Sequence, residues 1–214
     1  MVRSPAIAKK EWGRVAKKYR SGLPMQKVAD IYGVSIDAVT YILRRLSVPR
    51  RSFREASRLS FEAKKPSFII RSRQENSRTM NLAGAMLYWA EGYKRDTASG
   101  IDFANSDPDM ILIFWNFLKN RYLLDMKRLY FSVYYYEDQD LQSILKFWRS
   151  KLAVPASQFR HPYMKRNPSP TARKLPYGVL HIRYTDKKLL RDVLSLIQSF
   201  KEEICVGGGV VKRN

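Results

Sequence analysis

The residues of this chain whose type and spacing suit chemistry are cations placed to meet phosphate. Arg44 and Arg45 close an apolar-periodic segment, Arg50 and Arg51 follow Pro49, and Lys165, Arg166, Arg173 and Lys174 punctuate a stretch containing Pro168, Pro170 and Pro176. Guanidinium and ammonium groups so arranged neutralise phosphates, which gives affinity and salt dependence without reading base sequence. Over all 214 residues, 40 Lys and Arg face 19 Asp and Glu, a formal charge of +21. Self-repulsion on that scale calls for a polyanionic partner, nucleic acid or an anionic membrane surface; basicity for solubility alone is the bland alternative. Other chemistry is sparse. His161 and His181 are the only histidines and Cys205 the only cysteine, so an internal disulfide and a multi-cysteine zinc site are excluded. No Walker loop, Rossmann fingerprint or Ser/His/Asp order occurs. The run Tyr134-Tyr135-Tyr136 could stack bases, but alternate tyrosines of a half-buried strand explain it equally well.

The composition, 45% hydrophobic and 13% aromatic, is enough to bury a core and argues against wholesale disorder. No stretch reaches the roughly 18 apolar residues that span a bilayer. The N-terminus lacks the apolar core of a secretory signal. These features lead to the expectation of a cytoplasmic, nucleoid-associated protein without membrane contact.

Positioning of the first cationic group falls to residues 1–50. Trp12, Val15, Ala16 and Tyr19 form one helical stripe, Gly22 ends that helix, and a short helix from Pro24 to Tyr32 precedes Gly33-Val34-Ser35 and a third helix from Ile36 to Leu46. Val28, Ala29, Ile31, Val34, Val39, Ile42 and Leu43 supply a small core. Gly33 suits the left-handed turn, and Ser35 suits the cap of the third helix. The pattern is a helix-turn-helix, with a generic three-helix packing unit as the alternative. Its recognition helix turns Ser35, Asp37, Ala38, Tyr41, Arg44 and Arg45 outward. The early residues would meet base edges, and the two arginines phosphates. The following Ser47-Val48-Pro49-Arg50-Arg51-Ser52 reads as a basic arm of the kind that enters a minor groove.

Residues 51–80 read as a polar, basic linker with only weak helical periodicity, interrupted by Pro66. The remainder is mixed: an apolar helix over 81–91, a hairpin through Asp96-Thr97-Ala98-Ser99-Gly100 to Ile101–Asn105, and a helix capped by Asp107 and begun by Pro108. A strand over 128–136, a helix over 138–152, strands near 158–165 and 178–185, and a last helix capped by Asp186 complete it. The tail from 205 onward, with Gly207 to Gly209, is expected to be flexible. The fold class is thus α+β, an all-α N-terminal domain followed by a mixed domain with an antiparallel sheet.

The segment Leu82 to Lys94, and within it Gly84-Ala85-Met86-Leu87-Tyr88-Trp89-Ala90-Glu91-Gly92, resembles the signature helix of LAGLIDADG homing endonucleases. Phe103 to Asp109 resembles the strand-to-helix junction of divergent members, and the order helix, hairpin, helix, strands, helix is similar too. The resemblance covers about residues 80–204, with an extra helix at 138–152. It implies an αββα-type domain at 81–204 and a homodimer through the 82–92 helix on a near-palindromic double-stranded DNA site. It also implies Mg²⁺-dependent cleavage, with Glu91 as catalytic residue and metal ligand. A hard divalent cation prefers carboxylate oxygens, and metal-bound water is a usable nucleophile. Met86 and Trp89 stand where the family usually has Gly and Asp, while small Ala85 and Ala90 remain for helix contact. Lys94 is a DNA contact or a local partner of Glu91. An apolar core helix ending at a glycine is the alternative for this stretch.

On the strand Val179 to Tyr184, parity places Val179, His181 and Arg183 on one face and Leu180, Ile182 and Tyr184 on the other. The second set reads as core. The first, joined by Arg160, Tyr130, Ser132 and Tyr134, would lie on an open sheet face that such endonucleases turn to DNA; a solvated face is the alternative. The chain therefore reads as a sequence-specific DNA-binding protein. Either it is a site-specific endonuclease, or it is a non-catalytic helix-turn-helix regulator on an endonuclease-like fold.

Overall fold

A computed structural model describes residues 7–72, 77–166 and 175–206. The chain divides into two units, Met1–Lys65 and Pro66–Asn214.

In the first unit a 3₁₀ turn at Lys9–Glu11 leads into α1 (Trp12–Arg20), followed by α2 (Met25–Tyr32), α3 (Ile36–Arg45) and α4 (Phe53–Ala63). Val15, Ala16, Tyr19, Val28, Ala29, Val39, Ile42, Leu43 and Val48 form its core. Ala29 is fully buried where α2 meets the other helices. Gly33 ends α2 at φ 63°, and Val34 N–H closes on Ala29 O at 3.0 Å, so the chain reverses in a conformation a Cβ would strain. Ile31, expected in the core, is 51% exposed. With Val28 and Ala29 pointing inward, the 100° step of the helix carries it to the outer side.

The second unit contains β1 (Phe68–Ile70), α5 (Arg78–Glu91), β2 (Ile101–Asn105), α6 (Pro108–Arg121) and β3 (Tyr122–Leu124). β4 (Leu129–Tyr136), α7 (Leu141–Leu152), β5 (Tyr163–Lys165), β6 (Val179–Tyr184) and α8 (Lys187–Val206) follow. The sheet order is β2-β6-β4-β5; β6 runs antiparallel to β2 and β4, whereas β5 runs parallel to β4. The sheet expected to be antiparallel is therefore mixed at one edge. Side-chain caps from Ser77, Asp107 and Asp140 set the starts of α5, α6 and α7. Phe103, Phe114, Phe131, Leu180, Ile182 and Tyr184 are fully buried between the sheet and the helices. Phe103 stacks on Phe114 at 4.2 Å.

Residues 51–80 are more structured than a linker. Ser52 caps α4, and β1 pairs antiparallel with β3. Ser67 donates to the Asp186 carboxylate from its backbone N–H at 2.8 Å and its hydroxyl at 2.6 Å, which ties the start of the second unit to α8. The hairpin expected through 96–100 reduces to one bridge, Gly92 to Phe103, because β2 takes β6 as its full partner. α8 extends to Val206, and the expected tail beyond it lies outside the described residues. No helix among the described residues is long and apolar enough to cross a membrane.

Candidate nucleic-acid interface

α3 is presented as its sequence dictates. The Ser35 hydroxyl accepts the Ala38 N–H at 3.3 Å and fixes the first turn. Asp37, Tyr41, Arg44 and Arg45 are exposed, Ala38 is half-buried, and Val39, Ile42 and Leu43 hold the opposite side in the core. Tyr41 is positioned from two directions. Trp12 meets its ring edge-on at 6.0 Å, and Arg45 donates from Nε to its hydroxyl at 3.0 Å while lying over the ring. The face therefore carries a fixed aromatic flanked by two cations.

The basic arm is only half free. Arg50 is exposed, but Arg51 folds back: its guanidinium covers the Tyr19 ring at 4.0 Å and donates to Leu23 O at 2.9 Å and to Tyr19 O. Its backbone N–H also donates to the Tyr19 hydroxyl at 2.8 Å. Arg51 is thus a brace between the helices. Buried Val48, whose N–H closes on Leu43 O, pins the chain just ahead of it.

In the second unit, the two glycines of the signature-like stretch serve packing within the unit. A Cβ on Gly84 would lie 2.0 Å from the Phe117 ring, and one on Gly92 would lie 2.5 Å from the Tyr88 carbonyl oxygen. Ala85, expected at a helix–helix contact between copies, is fully buried, whereas Ala90, expected there too, is exposed; Ala83 and Met86 are half-buried and Trp89 is exposed beneath Lys201. Glu91 is exposed at the end of α5. Lys94 is engaged with backbone, donating to the carbonyls of Trp89 at 2.7 Å and Gly92 at 2.8 Å. Its role is to cap the helix, satisfying carbonyls that have no intrahelical partner. A Mg²⁺ ion takes six oxygens in near-octahedral array. Glu91 supplies one carboxylate, and no group of three or more His, Cys, Asp or Glu stands together among the described residues. Water and phosphate oxygens would have to supply the other positions.

The sheet face opposite the core gathers the strand residues singled out by parity and adds one that was missed, Asp102. Asp102 pairs with Arg183 in the β2–β6 register, and its carboxylate accepts from His181 Nδ1 at 2.8 Å and from Arg183 Nε at 3.0 Å. Arg183 Nη2 reaches the Tyr134 hydroxyl at 3.1 Å, and the His181 and Tyr134 rings lie 4.2 Å apart. Burial would lower the Arg183 pKa, but its bonds to Tyr134 and Asp102 outweigh that and raise it. The signal for Asp102 was present: it is the polar position between Ile101 and Phe103, both buried. Lys165 lies over the Tyr134 ring, and Tyr163 packs against it at 5.1 Å. Ser132 is at the expected parity but is fully buried, because its hydroxyl donates to His161 O at 2.7 Å beneath the β4–β5 connection. Arg160 and Arg166 are exposed, whereas Arg173 and Lys174 lie outside the described residues. Comparison with known proteins gives no match to this chain, whether as a family, a curated relative or a solved structure.

Proposed function

We propose that this protein binds double-stranded DNA in a sequence-specific way, docking α3 in the major groove. The observation that carries the reading is the exposed face of α3. A side-chain cap fixes its first turn, Asp37 and Tyr41 stand where base edges would lie, and Arg44 and Arg45 stand where phosphates would lie. Arg50 adds an exposed cation to the first unit, and the second unit separately carries Lys165 and Arg166, consistent with the +21 charge. A twofold pairing through α5 would have to rest on Met86 and Trp89 as well as Ala83 and Ala90. Bulkier side chains there hold two helices, and any two Glu91 carboxylates, further apart.

Between cleavage and regulation, the bulky Met86 and Trp89 of α5 favour a non-cleaving regulator, because they hold two such helices apart. Glu91 supplies one carboxylate, so hydrolysis would need water and phosphate oxygens to complete the coordination of a hard dication. Selection from a randomised duplex library with the full chain, followed by incubation with Mg²⁺ or Mn²⁺, tests both points. A defined sequence should emerge, Tyr41→Ala and Asp37→Ala should change it, and the DNA should stay intact. Defined cuts lost in Glu91→Gln would establish the endonuclease instead, and selection without enrichment would refute specific binding.

A further inference from the structure

Beside the Asp102 cluster the second unit contains a pocket of about 250 Å³. Its walls include Tyr93, Ser99, Gly100, Asp102, Tyr130 and Arg183. We infer that this pocket binds a single nucleobase, resting it on the phenol rings of Tyr93 and Tyr130 and donating to it from Arg183. The inference rests on the DNA-binding reading for its DNA-borne form only.

The pocket is built rather than incidental. Tyr93 is fixed by its N–H to Asp102 O at 2.9 Å and by the Tyr88 hydroxyl on its own carbonyl at 2.9 Å. The 96–100 turn is tied by Ala98 N–H to Arg95 O and by Lys187 to Asp96 O. Gly100 is required there: a Cβ would lie 2.0 Å from Tyr184 O. Arg183 commits Nε to Asp102 and Nη2 to Tyr134, while Nη1 has no partner among the described residues. An arginine so held presents donors at low entropic cost. Asp102 offsets its charge, which disfavours phosphate and favours a neutral planar ring with acceptor atoms at its edge. The volume is small for a cofactor and suits one flat ring system. Aromatic faces stack with any base. The base could come from DNA, turned out of the helix at an unstacking cost that such contacts offset, or from a free nucleotide.

Two arms distinguish these sources. In the first, the full chain is bound to its selected duplex with 2-aminopurine placed at each position in turn, and anisotropy reports binding independently. In the second, the chain without DNA is titrated with each nucleoside monophosphate by calorimetry. A several-fold fluorescence rise at one position, or saturable heat with one nucleotide, is expected. Either signal should disappear in Ser99→Trp, which fills the pocket from an exposed position on the 96–100 turn. It should fall in Arg183→Lys, which removes the free Nη1. Normal anisotropy with neither signal, or a signal unchanged in Ser99→Trp, would overturn the pocket assignment. Loss of anisotropy in the unmodified chain would overturn the DNA-binding reading, leaving the calorimetric arm to decide the pocket.

Discussion

The ammonium of Lys94 lies 2.7 Å from the carbonyl oxygen of Trp89, so its charge is spent on the C-terminal end of α5 and not on Glu91. A cation there complements the helix dipole, and a carboxylate opposes it. The expected outcomes have opposite signs. In thermal melts, Lys94→Met should lower stability by about 1 kcal/mol, whereas Glu91→Gln should be neutral or raise it by a few tenths. Destabilisation of Glu91→Gln by more than that would mean that Glu91 has a structural partner.

Ser35 carries the start of α3, and through it the orientation of Asp37 and Tyr41. Ser35→Ala should cost about 1 kcal/mol in chemical denaturation, and Ser35→Asp should restore most of it. Because the cap sets the first turn, affinity for the selected duplex should fall with the same ranking. An affinity loss in Ser35→Asp as large as in Ser35→Ala would show that the hydroxyl itself touches DNA.

Adjacent arginines should separate in behaviour. Arg51→Ala removes a cation–π contact and two donated bonds, and should destabilise the fold by roughly 1–3 kcal/mol. Arg50→Ala and Arg44→Ala should leave the melt unchanged and each reduce the slope of log affinity against log salt by about 1. Equal slopes in the variants and the parent chain would place both arginines away from phosphate.

Asp186 supplies a pH dependence. Burial alone would raise its carboxyl pKa, but the Ser67 hydroxyl and N–H, the Lys188 N–H and the nearby Arg128 outweigh burial and hold it below the usual carboxylate value. A folded-state pKa below the unfolded one contributes stability that is present above the unfolded value, about 3.9, and lost as pH falls through the folded one. The melting temperature should therefore drop on acidification from about pH 5 to below 3, and more shallowly in Asp186→Asn. Parallel pH profiles for the two proteins would remove Asp186 from the account.

Much of the architecture was legible because it is local. Caps act within three residues and helical stripes repeat within two turns, so Ser35, Asp107, Gly33 and the stripe Val15-Ala16-Tyr19 could be assigned from spacing alone. Period-two alternation likewise sorted Leu180, Ile182 and Tyr184 from His181 and Arg183. Short elements without alternation, β1 and β3, were not legible, and neither was α4, which buries no side chain.

What only the tertiary structure decided depends on contacts between residues far apart in the chain. Asp102 meets His181 and Arg183 because β2 pairs with β6, a choice made by the shared core rather than by the hairpin next to it. Arg51 turned inward because Tyr19, Leu23 and the arm converge, and no spacing rule measures that convergence. Glycines 84 and 92 looked like a family signature, yet each is held by a neighbour inside its own unit, Phe117 and Tyr88. The sequence by itself determined where α3 and α6 begin and which strand faces are apolar, since those follow from backbone geometry. Which polar side chains end up together was decided by packing, because burial of the apolar faces sets the register and the polar groups must accept the neighbours it gives them.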